Sequence, residues 1–533
     1  MNIISLNEFH GNSDVELLRN AIKYLKENPG TQLTIPPRKY VLYDEDAHKL
    51  QQNIMNGELG NNTETIVFNK DFKYKIGLDF SGVSYATIEA YGVTLMVDGF
   101  MEPISLQNCD NIIVKGLTID HVRKPYSKGK IVDFGTDHTD ISFDGQTCIT
   151  ERMPSERISI IGRESKYIEK IFSSKEKIQI SKNIIRFYGF SAKGHMGDEA
   201  YVWHTYHFRP AILIYESKDI KLIDVTINSQ PGMGIVGHRS HNILLKGLKV
   251  VPSIGEKMST NTDATHFTSC TGLLRFDGCH FEGQGDDSTN VHVYYHTIIK
   301  CKKNVCITAV QTPTHGAKLD YPNVGDILEL SNRKDLIPVE NYEVISVKPD
   351  FENWCCEIEL DRNLPVDFEA YYLADTTTLP ALEFVNCFVR NHLARGVLVK
   401  TRNVLIDNCM FEYNTGTAIH VAAEASWHEG VTTKNLVIRN NRIIGSGNQG
   451  YGEIFDTGGI CINILSVNPI SSVHKNILIE NNIIDCENSK HAIFAGNVDG
   501  LKIVNNSLRS AREGNEIETT YCQNVVIENN ITG

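Results

Sequence analysis

Asn476-Ile-Leu-Ile-Glu-Asn-Asn-Ile-Ile484 recurs 24 residues on as Gly500-Leu-Lys-Ile-Val-Asn-Asn-Ser-Leu508, and after another 24 as Asn524-Val-Val-Ile-Glu-Asn-Asn-Ile531. Within each unit apolar residues alternate, as they do in a strand with one buried face. An Asn-Asn corner then closes it, because Asn tolerates left-handed backbone geometry and its amide can ladder with the next unit. A repeated strand at constant spacing is the pattern of stacked coils in a solenoid.

Working outward, the same pattern is found at Asn111-Ile-Ile-Val-Lys-Gly-Leu-Thr-Ile119, Asp219-Ile-Lys-Leu-Ile-Asp-Val-Thr-Ile227, Asn242-Ile-Leu-Leu-Lys-Gly-Leu-Lys-Val250, Asn403-Val-Leu-Ile-Asp-Asn-Cys-Met-Phe411 and Asn435-Leu-Val-Ile-Arg-Asn-Asn-Arg-Ile443. The expected fold is all-β: a right-handed parallel β-helix. A β-sandwich would also show short strands and Asn/Gly turns, but would not hold one apolar phase at near-constant spacing. The open end of such a solenoid needs a cap. Ser13-Asp-Val-Glu-Leu-Leu-Arg-Asn-Ala-Ile-Lys-Tyr-Leu25 reads as an N-terminal capping helix, with Ser13 as N-cap and Glu16 as its capping-box partner.

Two stretches lack the Asn corner and alternate like hairpins, for example Val324-Gly-Asp-Ile-Leu-Glu-Leu330 and Tyr342-Glu-Val-Ile-Ser-Val347. They are expected to be two inserted small antiparallel β-barrel-like subdomains. The chain thus divides into 1–123 (cap and first coils), 124–206 (inserted subdomain), 207–296 (central coils), 297–378 (second inserted subdomain) and 379–533 (C-terminal coils). Insertions in solenoids gather on one face, and the second begins close enough to residues 286–287 to wall a site there.

A net charge of -13 with a pI near 5.8 argues against nucleic-acid binding and disfavours a polyanionic substrate. No segment reaches the ~18 consecutive apolar residues of a membrane helix. Residues 1–20 have no basic and apolar leader pattern, which leaves cytoplasmic residence or export with a removed leader as alternatives. The 13 cysteines include no CxxC pair, and Cys109, Cys279, Cys387 and Cys409 recur at equivalent places. They are expected to be buried stacking thiols rather than ligands or disulfides.

The candidate chemistry lies in the central coils. Asn261-Thr-Asp263 is followed 23 and 24 residues after Asp263 by Asp286 and Asp287, an offset of one coil. With strands about 4.8 Å apart, the three carboxylates fall into one patch. Asp at a β-helix turn is commonly a backbone cap. Here, however, Gly283-Gln-Gly285 permits a bulge that aims two adjacent side chains to one side. His266, Asn290 and His292 add polar groups in the same coils, where an aliphatic interior would penalise them. Clustered carboxylates cannot all ionise normally, so one becomes an acid and the others stay bases, as hydrolysis of a glycosidic bond requires.

Asn261-Thr-Asp-Ala-Thr-His-Phe267, Gly283-Gln-Gly-Asp-Asp-Ser-Thr-Asn-Val-His292, Arg395-Gly-Val-Leu-Val399 and Ala422-Ala-Glu-Ala-Ser-Trp-His-Glu-Gly430 resemble glycoside hydrolase family 110, the exo-acting α-1,3-galactosidases. The resemblance implies an inverting enzyme without metal or other cofactor. It assigns Asp286 as the acid, with Asp263 and Asp287 activating water. Its substrate would be a glycan with terminal α-galactose, linear Galα1,3Gal or the branched group B antigen. His266, Asn290, His292, Arg395, Glu424 and Trp427 are the candidate sugar-binding residues; Trp203, His204 and His238 are weaker ones, and Asp320 and Asp326 read as turn residues. Two alternatives stay open. One is a polygalacturonase-like hydrolase, for which Lys400-Thr-Arg402 is a reversed basic motif. The other is a non-catalytic glycan-binding β-helix. Homo-oligomerisation is undecided by the sequence.

Overall fold

The computed structural model describes residues 2–145, 149–162, 168, 170–310, 319–447, 457–511 and 514–533. Three parallel sheets wind along the chain. One has 13 strands, from Asn2–Ser5 to Gln523–Glu528, and a second has 12, from Lys39–Tyr43 to Ile531–Thr532. The third runs from Ile76–Asp79 through Thr265–Thr268 to Ile517–Thr520. This is the expected parallel β-helix. Equivalent residues stack in register, Ile477 on Leu501 on Val525. Ile477, Ile479, Leu501 and Ile503 lie in one continuous aliphatic core, each buried side chain contributing about 1.5–3 kcal/mol.

The Asn-Asn corners divide their work. The first Asn takes the left-handed turn: Asn481, Asn505 and Asn529 have φ of 57°, 57° and 54°. The second points inward. Asn482 N–H donates to Asn506 Oδ1 at 2.9 Å, and Asn506 N–H to Asn530 Oδ1 at 3.0 Å. A buried amide ladder thereby satisfies backbone groups that water cannot reach.

The capping helix spans Asp14–Glu27 and buries Val15, Leu18, Ile22 and Leu25. Ser13 Oγ accepts from Glu16 N–H at 3.2 Å, but Glu16 returns its carboxylate to Asn12 N–H at 2.7 Å, one residue earlier than a capping box. A second helix, Glu45–Met55, capped by Asp44, was not anticipated from the sequence.

Both interruptions of the repeat are antiparallel. Strands from Tyr126–Phe134 to Glu199–Trp203 form a seven-stranded sheet, over a core that includes Ile141, Ile158 and Phe187. The later one is a closed barrel of Thr289–Lys302, Val305–Ala309, Cys355–Leu360, Pro338–Asp350, Ile327–Asn332 and Tyr371–Asp375. Its first strand begins in the β-helix, parallel to Thr265–Thr268, and continues into the barrel, so the segment after Asp287 belongs to both.

Cys279, Cys387 and Cys409 stack as buried thiols. The expectation fails at Cys301 and Cys306, which form a disulfide. They sit on adjacent antiparallel strands of the barrel, directly opposite one another. Cys148 lies outside the described residues.

Candidate active site

The third sheet stacks Thr265 on Thr289 on Val397. Two residues before each come Asp263, Asp287 and Arg395, so these three occupy successive rungs at one turn. Ala264 N–H donates to Asp287 O at 3.0 Å, which locks the rungs together. Asp286 is one residue out of phase. Gly283 takes φ 75° there, and a Cβ on Gly285 would lie 2.2 Å from Asn261 O, so both glycines are required by the turn. An oxygen from each of Asp263, Asp286 and Asp287 lies within 4.8 Å of the others.

The three carboxylates have different surroundings. Asp287 is buried and accepts three hydrogen bonds from Arg395: N–H at 2.8 Å and Nε at 3.0 Å to Oδ1, and Nη2 at 2.9 Å to Oδ2. Asp286 is half-buried, and Tyr206 Oη donates to its Oδ2. Burial and the neighbouring Asp287 charge push Asp286 up to about 7. Asp263 is buried against His266, whose Nδ1 lies 2.8 Å from Oδ2. Burial and Asp287 raise it well above the carboxylate range.

A chain of buried charges supports this cluster. Arg395 Nη1 donates to Glu424 Oε1 at 3.0 Å, and Lys400 Nζ bridges Glu424 Oε2 at 2.7 Å to Glu429 Oε2 at 2.5 Å. Burial works against the Glu424 anion, yet Lys400 and Arg395 hold its carboxyl down to about 2. Asn290 is tied to both ends of the Lys400–Glu429 pair, at 3.3 and 3.1 Å. His292 Nε2 lies 3.7 Å from Glu429 Oε1 and 2.8 Å from His266 Nε2.

Five of the six candidate binding residues, His266, Asn290, His292, Arg395 and Glu424, therefore belong to one network with the carboxylates. Trp427 does not. It is 60% exposed on the short helix Ala425–Trp427, one turn from Glu424. Lys400 and Glu429 were not singled out as site residues. Both are fully or nearly buried charges, and only long-range pairing explains them. Lys400 and Arg402 are engaged with Glu424, Glu429 and Glu329, so this reversed basic motif spends its charge inside the protein.

The wall beside Asp286 comes from the first insert rather than the second. Tyr206 stacks on Trp203 with ring centroids 5.8 Å apart, and the Arg157 guanidinium lies 3.2 Å from the Tyr206 ring centroid. His207 pairs with Glu64 at 3.3 Å. Asn62, Glu64, Arg157, Trp203 and Tyr206 line a narrow cleft of about 20 Å³, room for little more than a water and far below the ~300–1,000 Å³ of ligand pockets. His204 points away, to Ser127 Oγ at 2.7 Å. His238 belongs elsewhere. With His296 it holds the buried carboxylate of Asp320 at 2.9 and 3.2 Å, at the junction of barrel and β-helix. Asp320 is thus a buried ion-pair centre rather than a turn residue. Burial opposes its charge, but the bonds from His238 and His296 hold it well below the usual carboxylate range.

No protein-family model matches the chain. Among curated proteins it is 26% identical to alpha-1,3-galactosidase B of Bacteroides thetaiotaomicron, over 99% of this chain and 90% of that protein. It is 25% identical to alpha-1,3-galactosidase A of Bacteroides fragilis, over 93% of this chain and 84% of that protein. Among solved structures, an exopolygalacturonase from Thermotoga maritima aligns with a TM-score of 0.39 at 11% identity, covering 100% of this chain and 92% of that one. No helix among the described residues is long and apolar enough to cross a membrane.

Proposed function

The chain belongs to glycoside hydrolase family 110, the α-1,3-galactosidases, and on that premise we propose that it hydrolyses terminal α-1,3-linked galactose from glycans with inversion. Asp286 protonates the leaving oxygen, while Asp263 and Asp287 orient and deprotonate the attacking water. The observation that carries this reading is the division within the carboxylate trio. Asp286 is the accessible member, with a proton held up to about pH 7, whereas Asp287 is gripped by Arg395 at both oxygens. One carboxyl suited to donate beside one held as an anion is the asymmetry that acid–base cleavage requires.

Hydrolysis of a panel of Galα1,3Gal, Galα1,4Gal, Galα1,6Gal and group B trisaccharide tests the substrate. Turnover of polygalacturonate alone, or binding without turnover, overturns it. The preference between linear and branched galactosides is read from the same panel.

A second reading, retention through a covalent intermediate, has one observation in its favour. The nearest carboxylate oxygens lie within 4.8 Å, closer to the ~5–5.5 Å carboxyl spacing of retaining enzymes than to the ~6.5–9.5 Å of inverting ones. Against it, the Asp287 oxygens are both occupied by Arg395, which leaves a poor nucleophile. An NMR time course separates the two. β-Galactose appears first under inversion and α-galactose under retention.

A further inference from the structure

Behind Asp263 runs a hydrogen-bonded line whose proton order can be read from its far end. His292 Nδ1 lies 3.1 Å from Val293 O, and a carbonyl only accepts, so this nitrogen carries hydrogen. In a neutral ring His292 Nε2 is then an acceptor. The proton in the 2.8 Å contact between the two Nε2 atoms therefore sits on His266. His266 Nδ1 must in turn accept, and the proton in its 2.8 Å contact with Asp263 belongs to the carboxyl. With neutral rings only this order leaves no two lone pairs facing each other. It also leaves Asp263 unable to take a proton from water.

Resting on the glycosidase reading above, we propose that Asp263, His266 and His292 act as one proton-holding unit, in which Asp263 becomes a base by passing its proton inward to the imidazole pair opposite Glu429. The Asp263 O–H bond breaks as an N–H bond forms at His266 Nδ1, and the Nε2 proton can pass on to His292 Nε2. Three protons remain in the unit throughout, and a neutral line becomes a carboxylate and an imidazolium. The imidazolium on His292 then faces Glu429 Oε1 at 3.7 Å. Water next gives its proton to Asp263 as its oxygen bonds the anomeric carbon, and Asp286 gives its proton to the departing oxygen. Afterwards one proton leaves the unit for solvent and one returns to Asp286, restoring both.

The surroundings fit this role. Asp263, Asp287 and Glu429 face the two rings as anions or acids and Lys400 as a cation, His207 lies near His266, and the Tyr294 ring lies 4.9 Å from His292. Burial holds His266 down to about 4 and His292 down to about 3, which keeps both rings neutral at rest. His266 and His292 are positioning residues here, acting through Asp263.

The decisive measurement is ¹⁵N-imidazole NMR on the full chain, with His292→Gln used for assignment. Protonated Nδ1 and unprotonated Nε2 at His292 support the proposal. The opposite tautomer overturns it, as does one tightly bound metal ion per chain by elemental analysis. Kinetically, His292→Gln should lower kcat on the order of tenfold, leave KM nearly unchanged, and move the acidic limb of the kcat–pH profile to higher pH. Glu429→Gln should move that limb the same way. A loss that is uniform across pH indicates packing alone and overturns the proposal. A wild-type chain inactive on every galactoside sinks the galactosidase reading, while the tautomers still decide the proton order. If His292→Gln fails to fold, Glu429→Gln and the wild-type spectrum carry the test.

Discussion

Arg395 grips Asp287 with its backbone N–H and two guanidinium nitrogens, across 108 positions of sequence and a whole inserted barrel. The same guanidinium holds Glu424, so one side chain neutralises two buried carboxylates. Removing it leaves both charges without their shared counter-ion, and breaking a buried pair in this way costs about 3–5 kcal/mol. Arg395→Ala is therefore expected to lose stability on that scale, measured by urea denaturation. Arg395→Lys keeps the charge but not the planar fork and should lose less stability while still losing activity. Equal stability of wild type and Arg395→Ala would contradict the pairing.

Asp286→Asn should fold and lose at least about 10²-fold in kcat, the scale of a general acid. An acid must be protonated to work. With Asp286 pushed up to about 7, kcat should fall as pH rises through about 7, and that limb should be missing from the residual activity of the variant. A pH–rate profile of the two proteins checks both points.

Tyr206→Phe removes the hydroxyl that donates to Asp286 Oδ2. A hydrogen bond to the ionised form lowers a carboxyl pKa, so its loss should move the alkaline limb to higher pH. A phenylalanine variant with an unmoved limb would show that the contact does not tune the acid.

Glu424 has its folded pKa depressed to about 2, against ~4.3 when unfolded. A depressed carboxyl contributes stability that is present above the unfolded value and lost as pH falls through the folded one. Stability should thus decline from about pH 4.3 towards 2, and Glu424→Gln should flatten this part of the curve. Denaturant midpoints at stepped pH values measure it.

Asn506→Ala breaks the amide ladder inside the C-terminal coils, leaving the buried Asn482 N–H without its Oδ1 acceptor. An unsatisfied buried donor costs about 1–3 kcal/mol. The melting temperature should fall while kcat at the distant site stays unchanged.

The carboxylate trio and the coil architecture were both legible because a solenoid converts sequence spacing into spatial adjacency. Once the coil length is fixed by the Asn corners, Asp263 must lie one rung from Asp287. The ladder Thr265 on Thr289 realises that offset. The Asn pairs also announced their place, since few other residues suit a left-handed turn followed by an inward amide.

Contacts that cross the inserts carried no such signal. Tyr206 reaches Asp286 over 80 positions, and Lys400 joins Glu424 to Glu429 deep in the protein. Nothing local marks a tyrosine at the end of an insert as a partner for an acid, or a lysine in a strand as wholly buried. Sequence by itself determined the β-helix, the one-coil offset and the three carboxylates, because each depends on a short repeat and the fixed rise between strands. Only the tertiary structure decided which carboxylate is clamped, which is left half-buried, and which is backed by two histidines. Those differences come from charges brought together by folding, where burial makes every partner count.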